Sequence, residues 1–148
     1  MAPVTDDRLV TTFGMLLEAH ATLVGAVRAD LDTDLDMPLS WFDVLIRLSR
    51  SPHHRLRMTE LATQVGLSAS GLTRLVDRIE EAGLVRREAC PSDRRSTFAV
   101  LAAPGEEALT LALPAHIASL RRHLQDPLGG DGLAQLEALL RSLRDCAR

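Results

Sequence analysis

The stretch "TELATQVGLSASGLTRLVDRIEEAG", residues 59–83, constrains the fold more than any other part of the chain. Leu61, Val65, Leu67, Leu72, Leu75, Val76 and Ile79 are the candidate core positions, and Leu72, Leu75, Val76 and Ile79 follow the three- and four-residue spacing that gives a helix one apolar face. Gly66 and Gly83 stand where a helix end favours a left-handed residue, a conformation Gly adopts without steric cost. Thr59 and Ser68 are candidate N-caps. The spacing therefore predicts a helix over 60–65, a turn, and a second helix over about 69–82, with small Ala62 where the two cross. That is the pattern of a helix–turn–helix, whose second helix enters the DNA major groove.

The outward face of the second helix suits that role. Ser68, Ser70, Gly71, Thr73, Arg74 and Arg78 are small, hydroxylic or cationic. An Arg can read guanine through two hydrogen bonds, and hydroxyls can serve bases or phosphates. Unpaired N–H groups at the helix start also suit a phosphate.

Charge is distributed unevenly. The net charge is −3, and all 17 basic residues are Arg. Ten of them fall between Arg47 and Arg95, against six acids, whereas the rest of the chain holds seven Arg and fourteen acids. A basic segment within an acidic chain points to a focused anionic partner.

Downstream, "LVRRE" at 84–88 and "STFAVLA" at 96–102 are short β-prone runs around "CPSDRRS". They predict a hairpin with a projecting, mobile seven-residue connection. "LRM" at 56–58 is a candidate third strand. On either side lie amphipathic helices. One covers 6–32, capped by Thr5 or Asp6, with Leu9, Val10, Phe13, Leu16, Leu17, Val24, Val27 and Leu31 along its stripe. A second starts with Ser40 as N-cap and stops at Pro52 and the two His after it. A third opens at Pro104 and is expected to kink at Pro114, with Leu109, Leu113, Ile117, Leu120 and Leu124 continuing across. "DPLGGDG" reads as a turn before a last helix over 132–146. The fold class is mainly α, a single domain of 1–148. Its first and last helices can bury their apolar faces only against each other or against another chain.

The stretch "MTELATQVGLSASGLTRLVDRIEEAGLVRREACPSDRRSTFAVLAAPGEE" resembles the winged helix–turn–helix of MarR-type bacterial transcription regulators; the resemblance is closest over about residues 56–107, and the flanking helices extend it over the chain in order and length. The matching pieces are "ELA", "TRLVDRIEEAGLVRR" and "DRRS". The resemblance implies a winged lobe over about 40–103, and dimerisation helices over about 6–32 and 104–147. It implies a homodimer on a pseudo-palindromic double-stranded DNA operator, acting as a repressor, with recognition helices in major grooves and wings in minor grooves. Asp93 would orient the wing, and Arg94 or Arg95 would reach the minor groove. "LAAPG" at 101–105 departs from the family's usual Leu-Thr pair before the Gly, so Ala102 lacks a capping hydroxyl.

Such regulators are often released by a small-molecule effector or by cysteine oxidation. By the resemblance, His20, Trp41 and Phe42 form the candidate ligand pocket, although from the residues alone Trp41 and Phe42 read first as core and His20 as a core or interface histidine. Cys90, near Arg86, Arg87, Arg94 and Arg95, is the candidate redox thiol; Cys146 is the other cysteine. Two isolated thiols fit a reducing cytoplasm. The five scattered His form no metal motif, so neither metal nor cofactor is expected. No phosphate loop, nucleophile elbow or paired carboxylates suggest an enzyme. No stretch reads as a membrane span, and the expected location is the cytoplasm. A protein-interaction winged helix that does not read DNA is the competing class.

Overall fold

The computed structural model describes residues 7–34 and 36–146. Its elements follow the apolar periodicity closely. Helix α1 covers Arg8–Asp34, α2 Leu39–Ser49, α3 Met58–Val65 and α4 Ala69–Glu81. A three-stranded antiparallel sheet is built from β1 (Arg55–Arg57), β2 (Val85–Cys90) and β3 (Asp93–Leu101), in the order β1-β3-β2. Helix α5 (Ala103–Leu120) and α6 (Asp126–Cys146) flank a π-helical turn at Arg121–Gln125. The fold is mainly α with a small sheet.

Contacts divide the chain into two compact units, one of residues 34–115 and one joining the N-terminal segment through Thr33 with His116 onward. The 34–115 unit is the winged lobe. Phe42, Val44, Leu45 and Leu48 of α2 meet Leu61 of α3, and Leu72, Leu75, Val76 and Ile79 of α4. Val85, Ala99 and Leu101 close the core from the sheet, and Leu109 and Ala112 from α5.

Two left-handed glycines end the paired helices. Gly66 has φ 70° and Gly83 has φ 76°. Behind each, a backbone N–H reaches back five residues, Leu67 to the Ala62 carbonyl at 3.0 Å and Leu84 to Ile79 at 3.1 Å. These bonds satisfy carbonyls that the helix leaves open at its end. Gly105 is needed for a different reason. A Cβ there would lie 2.1 Å from the Leu84 carbonyl oxygen.

Several local expectations are corrected. Helix α2 begins at Leu39 behind Pro38, so Ser40 lies in its first turn and is not the N-cap. Helix α3 begins at Met58, so Thr59 is inside it; the Glu60 carboxylate instead accepts the Arg57 N–H at 3.2 Å. Thr5 and Asp6 lie outside the described residues, and Asp7 Oδ1 accepts the Leu9 N–H at 2.7 Å. The strands β2 and β3 run almost to the hairpin tip, pairing Cys90 with Asp93 after an irregularity at Ala89/Cys90. Only Pro91 and Ser92 connect them, which replaces the expected seven-residue loop. The side-chain hydrogen bonds of Asp93 explain the extension, as they order residues that composition alone marks as turn. Leu67 is 42% exposed because it follows Gly66 in the turn, outside the helical stripe.

The second unit joins α1 to the chain from His116 onward. Asp30 Oδ2 of α1 accepts Ser119 Oγ at 2.7 Å, Arg122 at 3.1 Å and His123 Nε2 at 2.9 Å. The Ser119 hydroxyl holds the Asp30 carboxyl below its ordinary range, with His123 and Arg122 adding to the effect. The helix α5 continues through Pro114. In "DPLGGDG" the helical backbone persists, and the break is concentrated at Gly129, with φ 69° and ψ 173°. Much of the apolar stripe stays exposed: Leu9, Val10, Phe13 and Leu17 on α1, Leu139 and Leu143 on α6. Arg8–Thr33 is also long and apolar enough to cross a membrane by length and composition, with mean hydropathy 1.4. That corrects the expectation that no stretch approaches a span.

Candidate nucleic-acid interface

Helix α4 is strongly two-faced. Leu72, Leu75, Val76 and Ile79 are buried, while Ser70, Thr73, Arg74 and Arg78 are exposed one and two turns apart on the other side. Ser68 is the N-cap, its Oγ accepting the Gly71 N–H at 3.1 Å. A Cβ at Gly71 would sit 3.1 Å from that Oγ, so glycine there protects the cap. Thr73 Oγ1 donates to the Ala69 carbonyl at 2.9 Å, and Arg78 Nε to the Arg74 carbonyl at 3.4 Å.

The wing is held from its own turn. Asp93 Oδ1 accepts the Arg95 N–H at 3.0 Å, and Oδ2 accepts Ser96 Oγ at 2.8 Å. These bonds, with the Arg57 charge, hold the Asp93 carboxyl below its usual range. It is therefore ionised at neutral pH, with one oxygen on each of these two donors. Arg94 and Arg95 are exposed. Among the described residues no acid pairs with the guanidinium of Arg74, Arg94 or Arg95.

Thr73 of α4 and Arg95 and Ser96 of β3 line one cleft of about 220 Å³, together with Arg57. Helix and wing thus share a cationic surface. Two residues of this surface escaped the sequence reading. Arg57 ends β1, and its guanidinium lies 5.8 Å from the Phe98 ring centre. Arg87 of β2 binds Glu80 through Nη1 at 2.6 Å, and through Nη2 Asp77 at 2.8 Å and the Thr73 carbonyl at 3.2 Å. No spacing within one element signals the Glu80–Arg87 contact, because a helix end and a turn at Gly83 lie between them.

The other candidates fall elsewhere. Phe42 is buried in the lobe's core and Trp41 packs against that core. His20 is exposed on α1. Cys90 is 4% exposed, which corrects its placement on an open, Arg-lined loop. Its thiol is more acidic than usual chiefly because Ser92 Oγ lies 3.3 Å away; the contributing cation is Arg57. Among the described residues no group of three His, Cys, Asp or Glu could hold a metal ion.

Residues 35–96 match the MarR family. AbsC, a MarR family transcriptional regulator from Streptomyces coelicolor, shares 35% identity and superposes with a TM-score of 0.83, covering 100% of this chain and 99% of its own. The chain belongs to the MarR family. Sco3205, a MarR family transcriptional regulator from the same organism whose structure is in complex with DNA, shares 33% identity. Its TM-score is 0.83, with 100% of this chain and 92% of Sco3205 covered. The transcriptional repressor MprA of Escherichia coli (strain K12) is 31% identical over 102 residues, 69% of this chain. The chain spans 57% of MprA and 41% of the Bacillus subtilis HTH-type regulator YfiV. AbsC and Sco3205 are both described as MarR family transcriptional regulators.

Proposed function

We propose that this MarR protein is a cytoplasmic homodimer that binds a pseudo-palindromic operator and represses nearby genes until a small-molecule effector releases it. The observation that carries the reading is one lobe presenting two DNA-complementary surfaces. These are the exposed Ser70, Thr73, Arg74 and Arg78 of α4 and the exposed Arg94 and Arg95 of the wing, with Asp93 ordering the wing turn. Helix α4 would read the major groove and a wing Arg would enter the narrow, negative minor groove. The similar Sco3205, solved in complex with DNA, supports the partner, and the similar transcriptional repressor MprA supports repression.

Dimerisation is supported by the exposed apolar residues of α1 and α6, which a soluble monomer would leave in water. Replacing Phe13 with Asp should halve the mass measured by light scattering; an unchanged mass removes α1 from the interface.

The DNA reading is tested by selecting a preferred sequence from a random duplex pool. Binding to it should be about 10⁻⁸ to 10⁻¹¹ M and weaken steeply with salt. Replacing Arg94 and Arg95 together with Ala should cost roughly tenfold or more in affinity with the melt unchanged. Retained affinity would exclude the wing from the interface.

A further inference from the structure

The cleft between the start of α3, the middle of α4 and β3 is not explained by recognition-helix and wing-tip contacts alone. It is lined by Arg57, Thr59, Thr73, Arg87, Arg95 and Ser96. Of its three guanidinium groups, that of Arg87 is already neutralised by Asp77 and Glu80. Those of Arg57 and Arg95 form no ion pair among the described residues. Neither the Glu60 nor the Asp93 carboxylate lines the cleft. Glu60 accepts the Arg57 N–H, and Asp93 accepts the Arg95 N–H and the Ser96 hydroxyl. Thr59 lies in the first turn of α3, where helix N–H groups lack helical acceptors.

The Thr73 and Ser96 hydroxyls already donate to the Ala69 carbonyl and to Asp93, so the attraction for an anion at this concave point comes from the Arg57 and Arg95 guanidinium groups, the former also acting on the Asp93 charge. The cleft's volume of about 220 Å³ is several times the ~30 Å³ share of a water molecule, enough for a phosphodiester group. Its walls come from both elements assigned to DNA, since Thr73 belongs to α4 and Arg95 to the wing.

We infer that this cleft seats a backbone phosphate of duplex DNA, with Arg57 and Thr59 as DNA-contacting residues that the helix–wing pattern does not reveal. The inference rests on the DNA-binding reading above. A phosphate contact positions the protein without reading sequence, so its loss should weaken all duplexes alike. The seat would also tie α3 and the wing to one point on the backbone, setting how far the wing extends along the groove.

The test uses the full chain and a mixed-sequence duplex. The Arg57→Gln variant should lower the slope of log affinity against log salt by about one, the signature of one lost phosphate contact. Arg57→Lys, which keeps a point charge, should restore most of the slope. Relative affinities for different sequences should not change. In duplexes carrying a single methylphosphonate linkage, one position should weaken the wild type but not Arg57→Gln. Inorganic phosphate at constant ionic strength should displace DNA no better than chloride. An unchanged slope in a variant that melts like the wild type overturns the inference, and so does preferential displacement by inorganic phosphate. Should Arg57→Gln melt early, Thr59→Val on the exposed side of α3 takes its place, and loss or retention of the same methylphosphonate response decides. If selection finds no preferred sequence, the sequence-specific reading fails while the slope still reports on Arg57. If the wild type binds no duplex, both fall.

Discussion

Arg87 on β2 and Glu80 on α4 form a two-point clamp. The Arg87 backbone N–H donates to Glu80 Oε1 at 2.9 Å, and its guanidinium to Oε2 at 2.6 Å. The same side chain reaches Asp77 and the Thr73 carbonyl, so one residue fixes the sheet to two turns of α4. Arg87→Met keeps the aliphatic stem and removes the clamp. Hydrogen bonds to charged groups contribute about 1.5–3 kcal/mol, and partial exposure places this one toward the lower end. The urea midpoint should fall accordingly with an unchanged m value; an unaltered midpoint would mean the clamp adds nothing net.

Asp93 gives the wing a pH dependence of definite sign. The Arg95 N–H, the Ser96 hydroxyl and the Arg57 charge lower its folded-state pKa below the ordinary 3.8. A depressed carboxyl pKa stabilises the fold above the unfolded-state value, and that stabilisation disappears as pH falls through the folded-state value. Asp30 behaves likewise in the other unit. Asp93→Asn should therefore destabilise the protein at neutral pH, and its deficit against the wild type should shrink below the ordinary carboxyl range. Parallel melting curves from neutral to acid pH check this. A deficit that stays constant would assign the effect of Asn to packing.

The helices were legible because their signals are local. The stripe Leu72, Leu75, Val76 and Ile79 and the two terminating glycines define α4 from sequence, and Ser68 caps it as its position suggests. The caps at Ser40 and Thr59 were not legible, because a hydroxylic residue near a helix start serves equally well one position inside it. The wing length was hidden for another reason. Pro91, Ser92 and Asp93 have turn chemistry, but the Asp93 carboxylate and strand pairing draw β3 through residues of weak β preference. Tertiary pairing overrode composition there. The Arg57 cleft and the Arg87 clamp join residues from separate elements, and no single-segment pattern encodes such meetings.

Gly105 can be tested by adding one methyl group. In Gly105→Ala the new Cβ would meet the Leu84 carbonyl oxygen at 2.1 Å and Leu101 Cδ1 at 2.9 Å. The first neighbour is backbone, so the start of α5 must move away from the residue preceding β2. Overpacking of this kind typically costs about 1–3 kcal/mol, and a fixed backbone oxygen places the site at the upper end. The midpoint of thermal unfolding should drop by several degrees, which differential scanning calorimetry would register. A wild-type melt would show that the helix start shifts without cost.

The two cysteines should separate cleanly in a thiol-labelling experiment. Cys146 is exposed, whereas Cys90 is buried against Ser92 at the end of β2. The Ser92 hydroxyl makes the Cys90 thiol more acidic, which favours the reactive thiolate, but burial blocks reagent access. Access governs the rate here, because a thiolate that cannot be reached cannot be attacked. An aromatic disulfide reagent should give a fast phase for one thiol and a slow phase for the other. Cys146→Ser should abolish only the fast phase, and mild urea should accelerate the slow one as the wing opens. Peroxide at low concentration should leave operator affinity unchanged in the Cys146→Ser protein. A fast Cys90 phase with loss of DNA binding would instead make the wing thiol a redox switch.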